Sequence, residues 1–238
     1  MNIKEYKNEN YEIEPYKMKN DAIIKNNIVQ PLPNNYGFAM LIVGQPNSGK
    51  TTLMLNMLKK SKKKNTYYRQ FDKCYIFSNS LHTIEKDIMI PKTRQFNGIE
   101  ELEETIENIK LDTDSKSLII LDDVISDLKE KEDVVEKLFF NRRHIGGGCS
   151  LILTSQVYNK ISAKIRKCIT TLFMFSTSNK NELESIWKSC VPVLNYKEFL
   201  KIVKYCFKKN NHEFLAIDVQ NNEFYHNFNH ITFTATDI

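Results

Sequence analysis

Leu41-Ile42-Val43-Gly44-Gln45-Pro46-Asn47-Ser48-Gly49-Lys50-Thr51-Thr52-Leu53 reads as a short apolar strand, a glycine-bounded loop and the start of a helix. The loop fits G-x-x-x-x-G-K-[ST], the phosphate-binding P-loop. Gly44 and Gly49 permit backbone angles that a Cβ would oppose. The segment from Gly44 through Gln45, Pro46, Asn47 and Ser48 to Gly49 can therefore wrap a phosphate with main-chain N–H groups. Lys50 is placed to reach the β- and γ-phosphates of ATP, and Thr51 to hold Mg²⁺ through its hydroxyl, with Thr52 next on the helix. A helix starting near Lys50 aims its positive end at the same anion. The plain alternative is a Gly-containing turn before an ordinary helix. The apolar strand before the loop and the amphipathic run after it argue against that.

A second stretch supports this reading. Ser117-Leu118-Ile119-Ile120-Leu121-Asp122-Asp123 is a continuous apolar run without alternation, as expected of a strand buried on both faces of a parallel sheet. It ends in two carboxylates at the edge where α/β sheets bind ligands. This is the pattern of a Walker B strand. Asp122 is expected to hold the Mg²⁺ shell and Asp123 to polarise the attacking water, the pleat turning the two acids to opposite faces. A third run, Cys149-Ser150-Leu151-Ile152-Leu153-Thr154-Ser155-Gln156, repeats the apolar strand with a polar tip. An amide at that tip, Gln156, is suited to sense the γ-phosphate or the attacking water.

Around these motifs, strands expected at residues 38–43, 73–78, 117–123, 149–156 and 170–175 alternate with helices at 50–60, 98–110, 129–141, 180–188 and 196–208. Alternation of this kind gives a parallel sheet covered on both faces. The strand and helix between the P-loop unit and the Walker B strand leave room for a further strand to separate the two motifs. Residues 163–167 read as a basic turn. Residues 214–228, with Gln220-Asn221-Asn222 at the bend, read as a C-terminal β-hairpin. Residues 1–36 are rich in Lys, Asn, Glu and Tyr and broken by Pro31 and Pro33. They are expected to form an arm and linker before an ATPase domain at 37–238, with the part from about 180 as its extension.

The chain has 238 residues, enough for one α/β domain with additions. Lys plus Arg number 34 against 29 Asp plus Glu, a net charge of +5 that allows a nucleic-acid partner without demanding one. Cys74, Cys149, Cys168, Cys190 and Cys206 are scattered and lack C-x-x-C spacing, which fits a reducing compartment rather than disulfides or zinc. The polar, charged N-terminus does not read as a signal peptide. No apolar run approaches the roughly 20 residues that span a bilayer.

Other P-loop enzymes make demands that these residues do not meet. Asn179-Lys180-Asn181-Glu182 mimics the guanine reader of a GTPase, but Asp122-Asp123-Val124-Ile125 lacks the glycine of a D-x-x-G switch. A nucleoside kinase wants an arginine-rich lid, and Arg142, Arg143 and Arg166 are few and dispersed. An adjacent pair of acids and a Gln-tipped strand favour a hydrolytic, motor-type ATPase.

The P-loop, the Asp122-Asp123 strand, Asn141-Arg142-Arg143-His144 and the run from Leu151 through Gln156 to Lys164-Ile165-Arg166-Lys167 together resemble a known family. They are similar to the poxvirus-type genome-packaging ATPases of large double-stranded DNA viruses, within the FtsK/HerA superfamily of DNA-pumping motors. The likeness runs from about residue 38 to 188 and includes the 214–228 ending. It implies a RecA-like core of the additional-strand type, assembled as a ring with ATP at subunit boundaries. A neighbour's arginine then completes each site, a role carried to Arg143, then Arg142, then Arg166. The resemblance further implies sequence-independent binding of double-stranded DNA, capsid or portal partners, and action in the virion and at an assembly site in the host cytoplasm. Lysine-rich loops at residues 59–64 and 160–167 are the candidate DNA contacts. One departure stands out: Asp123 is Glu in many members of the wider superfamily. Two other readings are an ATP-dependent switch or scaffold in virion assembly, which would not pump DNA, and a cellular DNA-transfer ATPase.

Overall fold

The computed structural model describes residues 22–24, 27–61, 66–84, 90–124, 129–208 and 212–233. Strand β1 (Ala39–Val43) is buried at every position and lies in the middle of a nine-stranded sheet. The other strands are β2 (Lys73–Ser78), β3 (Gln95–Phe96), β4 (Ser117–Asp122), β5 (Cys149–Ser155), β6 (Thr171–Phe175), β7 (Phe214–Asp218), β8 (Glu223–His226) and β9 (Asn229–Ile231). Their order is β3-β2-β4-β5-β1-β6-β7-β8-β9. Strands β1 to β6 pair in parallel and β6 to β9 antiparallel. The expected additional strand is β5, which sits between the P-loop strand and the Walker B strand, pairing Leu153 with Leu41 and Leu151 with Ile119.

The pleat sorts the apolar runs into two cores. Leu41 and Val43 of β1, Ile119 and Leu121 of β4, and Leu151 and Leu153 of β5 face one side. Met40 and Ile42, Leu118 and Ile120, and Ile152 face the other. A strand buried on both faces has no polar alternation to display, which is why these runs read as continuous.

Helix α1 (Lys50–Leu58) covers the second side. Helices α2 (Leu102–Leu111), α3 (Glu132–Asn141), α4 (Ala163–Cys168), α5 (Lys180–Cys190) and α6 (Tyr196–Cys206) contribute to the first. Several ends differ from the expectation for local reasons. Helix α1 stops at Leu58 because Lys59 is extended. Residues 98–101 form a turn before α2. The expected turn at 163–167 is a helix, since the Ser162 hydroxyl accepts from the Ile165 N–H and caps it. The guanine-reader mimic is occupied in capping α5, where Asn179 accepts from the N–H groups of Asn181 and Glu182.

The C-terminal hairpin carries a third strand, so β7, β8 and β9 form a meander. Its first turn is held by Asp218, which accepts from the N–H groups of Gln220 and Asn221. Part of the expected arm joins the domain: Ile24, Ile28 and Leu32 are buried in the core that α1 covers. Residues 1–21 and 25–26 of the arm, and 62–64 of the lysine run, lie outside the described residues. Among the described residues, no helix is long and apolar enough to cross a membrane.

Candidate active site

The P-loop leaves the carboxyl end of β1 and turns through Asn47 and Gly49, which have φ of 61° and 105°. Both are left-handed, and Gly49 leads directly into α1. Gly44 is required by proximity, because a Cβ there would stand 2.7 Å from Phe175 Cβ and 2.7 Å from Ser48 Oγ. The Lys50 ammonium folds back onto its own loop and donates to the carbonyls of Gly44 (2.7 Å) and Gln45 (3.0 Å). Burial lowers its pKa, and the charges of Asp123 and Asp122 partly offset this. Ser48 Oγ is buried without a hydrogen-bond partner among the described residues. An orphaned donor, a folded-back cation and a glycine-shaped cradle fit a bound phosphate chain.

Asp122 ends β4 beside this loop and is fully buried. Burial pushes its carboxyl above the usual carboxylate range, while hydrogen bonds from Thr154 and Ser78 pull it back. The Thr154 hydroxyl donates to Oδ1 at 2.8 Å and Ser78 to Oδ2 at 3.2 Å. Thr51 Oγ1 lies 3.4 Å from Oδ1. A hydroxyl and a carboxylate at this separation form the hard-oxygen pair that Mg²⁺ prefers.

Asp123 leaves the strand with φ of 53°. The pleat was expected to divide the two acids, but a left-handed kink does so. That kink is pinned by the Asp123 N–H donating to Thr154 Oγ1 at 2.9 Å. Thr154 thereby spends its one proton on Asp122 and a lone pair on Asp123. Gln156 donates from Nε2 to Asp123 Oδ2 at 2.7 Å. The strand tips of β4 and β5 thus bring together the two residues read as base and sensor.

The arginines separate sharply. Arg142 is buried, donating from Nε to the Gly37 carbonyl (2.7 Å) and from Nη1 to the Phe139 carbonyl (2.6 Å). Its guanidinium ties the end of α3 to the entry of β1. Arg143, next in the chain, is exposed. Arg166 lies over the Tyr158 ring at 5.2 Å. Substituting Arg142→Ala strips two buried carbonyls of their donor and is expected to cost about 2–4 kcal/mol of stability. Arg143→Ala is expected to cost less than about 1 kcal/mol. Urea unfolding of the two variants checks the contrast.

A cleft of about 670 Å³ opens beside Lys50 and Thr51 and runs along α1 past Thr52 and Asn56. Another, of about 580 Å³, lies at the amino edge of the sheet between Gln30, Asp218 and Tyr225, away from the P-loop.

The model of the poxvirus A32 protein family matches residues 30–237. The chain belongs to this family. No curated protein matches the chain by sequence. The DNA-packaging ATPase B204 of Sulfolobus turreted icosahedral virus is similar in structure, with a TM-score of 0.57 and 19% identity over 84% of this chain and 99% of that one. The genome-packaging NTPase B204 of Sulfolobus turreted icosahedral virus 2, in complex with ATP-gammaS, gives a TM-score of 0.56 and 20% identity over 80% and 96%. At these identities the likeness establishes the fold, a P-loop NTPase sheet flanked by helices.

In this A32-family chain, sequence reasoning passed over Thr154, Ser78 and His212. The first two carried a faint signal, since each is a hydroxyl at the end of an apolar strand. His212 carried none: it meets the P-loop only because β7 runs antiparallel to β6, bringing its start to the end of β6.

Proposed function

We propose that this chain is an ATP-hydrolysing motor that translocates double-stranded viral DNA into a capsid. The observation that carries the proposal is the meeting of Lys50, Thr51, Asp122, Asp123 and Gln156 at one sheet edge, in a chain of the A32 family. Lys50 turns from the loop carbonyls to the β- and γ-phosphates of ATP. The residues from Gly44 to Thr52 hold the phosphate chain. Thr51 and Asp122 would hold Mg²⁺, which would supply positive charge against that of the phosphates. Asp123 accepts a proton from the attacking water, and Gln156 fixes the carboxylate that receives it.

Protomers assemble as a ring, and Arg143 of each reaches the nucleotide of the next. DNA is gripped through its phosphates by lysine-rich loops, among them residues 160–167, where Lys160 and Lys167 are exposed. Capsid or portal proteins dock the ring, in the virion and at the assembly site in the host cytoplasm.

Thr154 orients both acids, so Thr154→Val is expected to raise the Mg²⁺ concentration for half-maximal turnover by roughly 10–100-fold, the usual loss when a ligand's hydrogen-bond support is removed. A Mg²⁺ titration of ATPase activity reads this directly.

Steady-state ATP hydrolysis with and without long double-stranded DNA tests the function. Marked stimulation that fades with salt supports a translocase. Slow turnover indifferent to DNA, at concentrations where the protein is assembled, would favour an ATP-dependent switch or scaffold instead.

A further inference from the structure

The cleft beside the P-loop extends well past the phosphate end. Asn56 lines it on α1, and Phe175 and Phe214 from the ends of β6 and β7, with His212, line it beside the P-loop turn. The volume, about 670 Å³, falls within the roughly 300–1,000 Å³ of small-molecule sites.

The floor is aromatic. Phe175 and Phe214 are buried, 5.9 Å apart and edge to face, and Phe214 also packs against Phe228 at 5.5 Å. The rim is His212, an exposed ring tethered to the loop itself. Its Nδ1 lies 3.1 Å from the Ser48 carbonyl, which can only accept, so Nδ1 carries the proton and donates. A Cβ placed on Gly49 would stand 3.7 Å from that nitrogen and 3.6 Å from Phe175 Cε1. The imidazole and the aromatic floor therefore both adjoin the turn that leads into α1.

We propose that His212, carried to the P-loop by the antiparallel start of β7, is the stacking platform for the nucleobase of the bound nucleotide. The inference rests on the nucleotide-binding reading of the P-loop and adds its base site. The flat imidazole face offers the base a π-surface, and the Ser48 tether holds the ring beside the cleft before the ligand arrives. The pre-set ring loses little freedom on binding. Stacking on an aromatic ring favours any base, so His212 supplies affinity rather than a choice among bases. Opening the β6–β7 pairing would withdraw the platform, which couples the C-terminal meander to nucleotide binding.

Calorimetric titration of the intact protein with two probes, MgATP and magnesium tripolyphosphate, tests this. The triphosphate chain is common to both, and the base is present in only one. His212→Ala is expected to weaken MgATP by roughly tenfold to a hundredfold and to leave tripolyphosphate unchanged. His212→Phe, which keeps the ring and loses the Ser48 bond, should recover most of the MgATP affinity. Equal weakening of both probes by His212→Ala would make the residue a loop support and overturn the proposal, as would no change in either. Lys50→Ala separates the two readings, since it should weaken both probes. If it weakens neither, the P-loop assignment fails and not the base site alone.

Discussion

Arg143→Ala is expected to lower the ATP turnover of the assembled protein by roughly 10³–10⁵-fold, the value of an arginine that stabilises transferred phosphoryl charge. The sheet explains why such a residue must act on a neighbour. Arg142 and Arg143 lie beside Gly37, ahead of the amino end of β1. The P-loop follows the carboxyl end of the same strand. Five residues of strand, about 17 Å, separate the two edges, beyond the reach of one side chain. Arg143 therefore cannot touch the phosphates held by its own Lys50. Mixing provides the decisive measurement. Lys50→Ala and Arg143→Ala proteins are each expected to be inactive alone. Mixed, some boundaries join an intact P-loop to an intact Arg143, and turnover should return in part. Mixed assemblies that stay inactive, or an Arg143→Ala protein that turns over at the original rate, would remove the residue from the site.

Asp123→Asn carries the second large effect, a loss of roughly 10²–10⁴-fold in turnover with MgATP affinity nearly unchanged. The substitution keeps the shape and the backbone N–H that donates to Thr154, so the left-handed turn survives. It removes only the ability to take a proton. Gln156 donates to the carboxylate in the unmodified protein, and an amide oxygen can still accept that bond. Nucleotide binding and thermal stability should therefore match those of the original protein while hydrolysis fails. Single-turnover hydrolysis beside equilibrium binding distinguishes this outcome from a misfolded variant. Hydrolysis at the original rate would mean that another group receives the proton. The kink at φ 53° turns the Asp123 side chain toward Gln156.

Local chemistry makes much of this molecule legible in its sequence. The P-loop is a contiguous device: an apolar strand, glycines where a Cβ would collide, then a helix start, all within thirteen residues. The Walker B strand is equally local, because a strand buried on both faces must be apolar throughout and its acids can stand only at the tip. The alternation of strands and helices then leads to a parallel sheet, whereas strand order put β5, which follows the Walker B strand in the chain, between the two motifs.

The remainder depended on contacts between distant parts of the chain. Arg142 and Arg143 are indistinguishable as neighbouring letters, yet one is buried on two carbonyls and the other is exposed. The direction of each side chain was set by how the end of α3 meets the entry to β1. Thr154 joins Asp122 and Asp123 across 32 and 31 residues, and His212 meets Ser48 across 164. A motif within one turn of chain is fixed by its own backbone sterics. A contact across a sheet exists only once strand order and strand direction have placed two tips side by side, and that placement is a property of the assembled core.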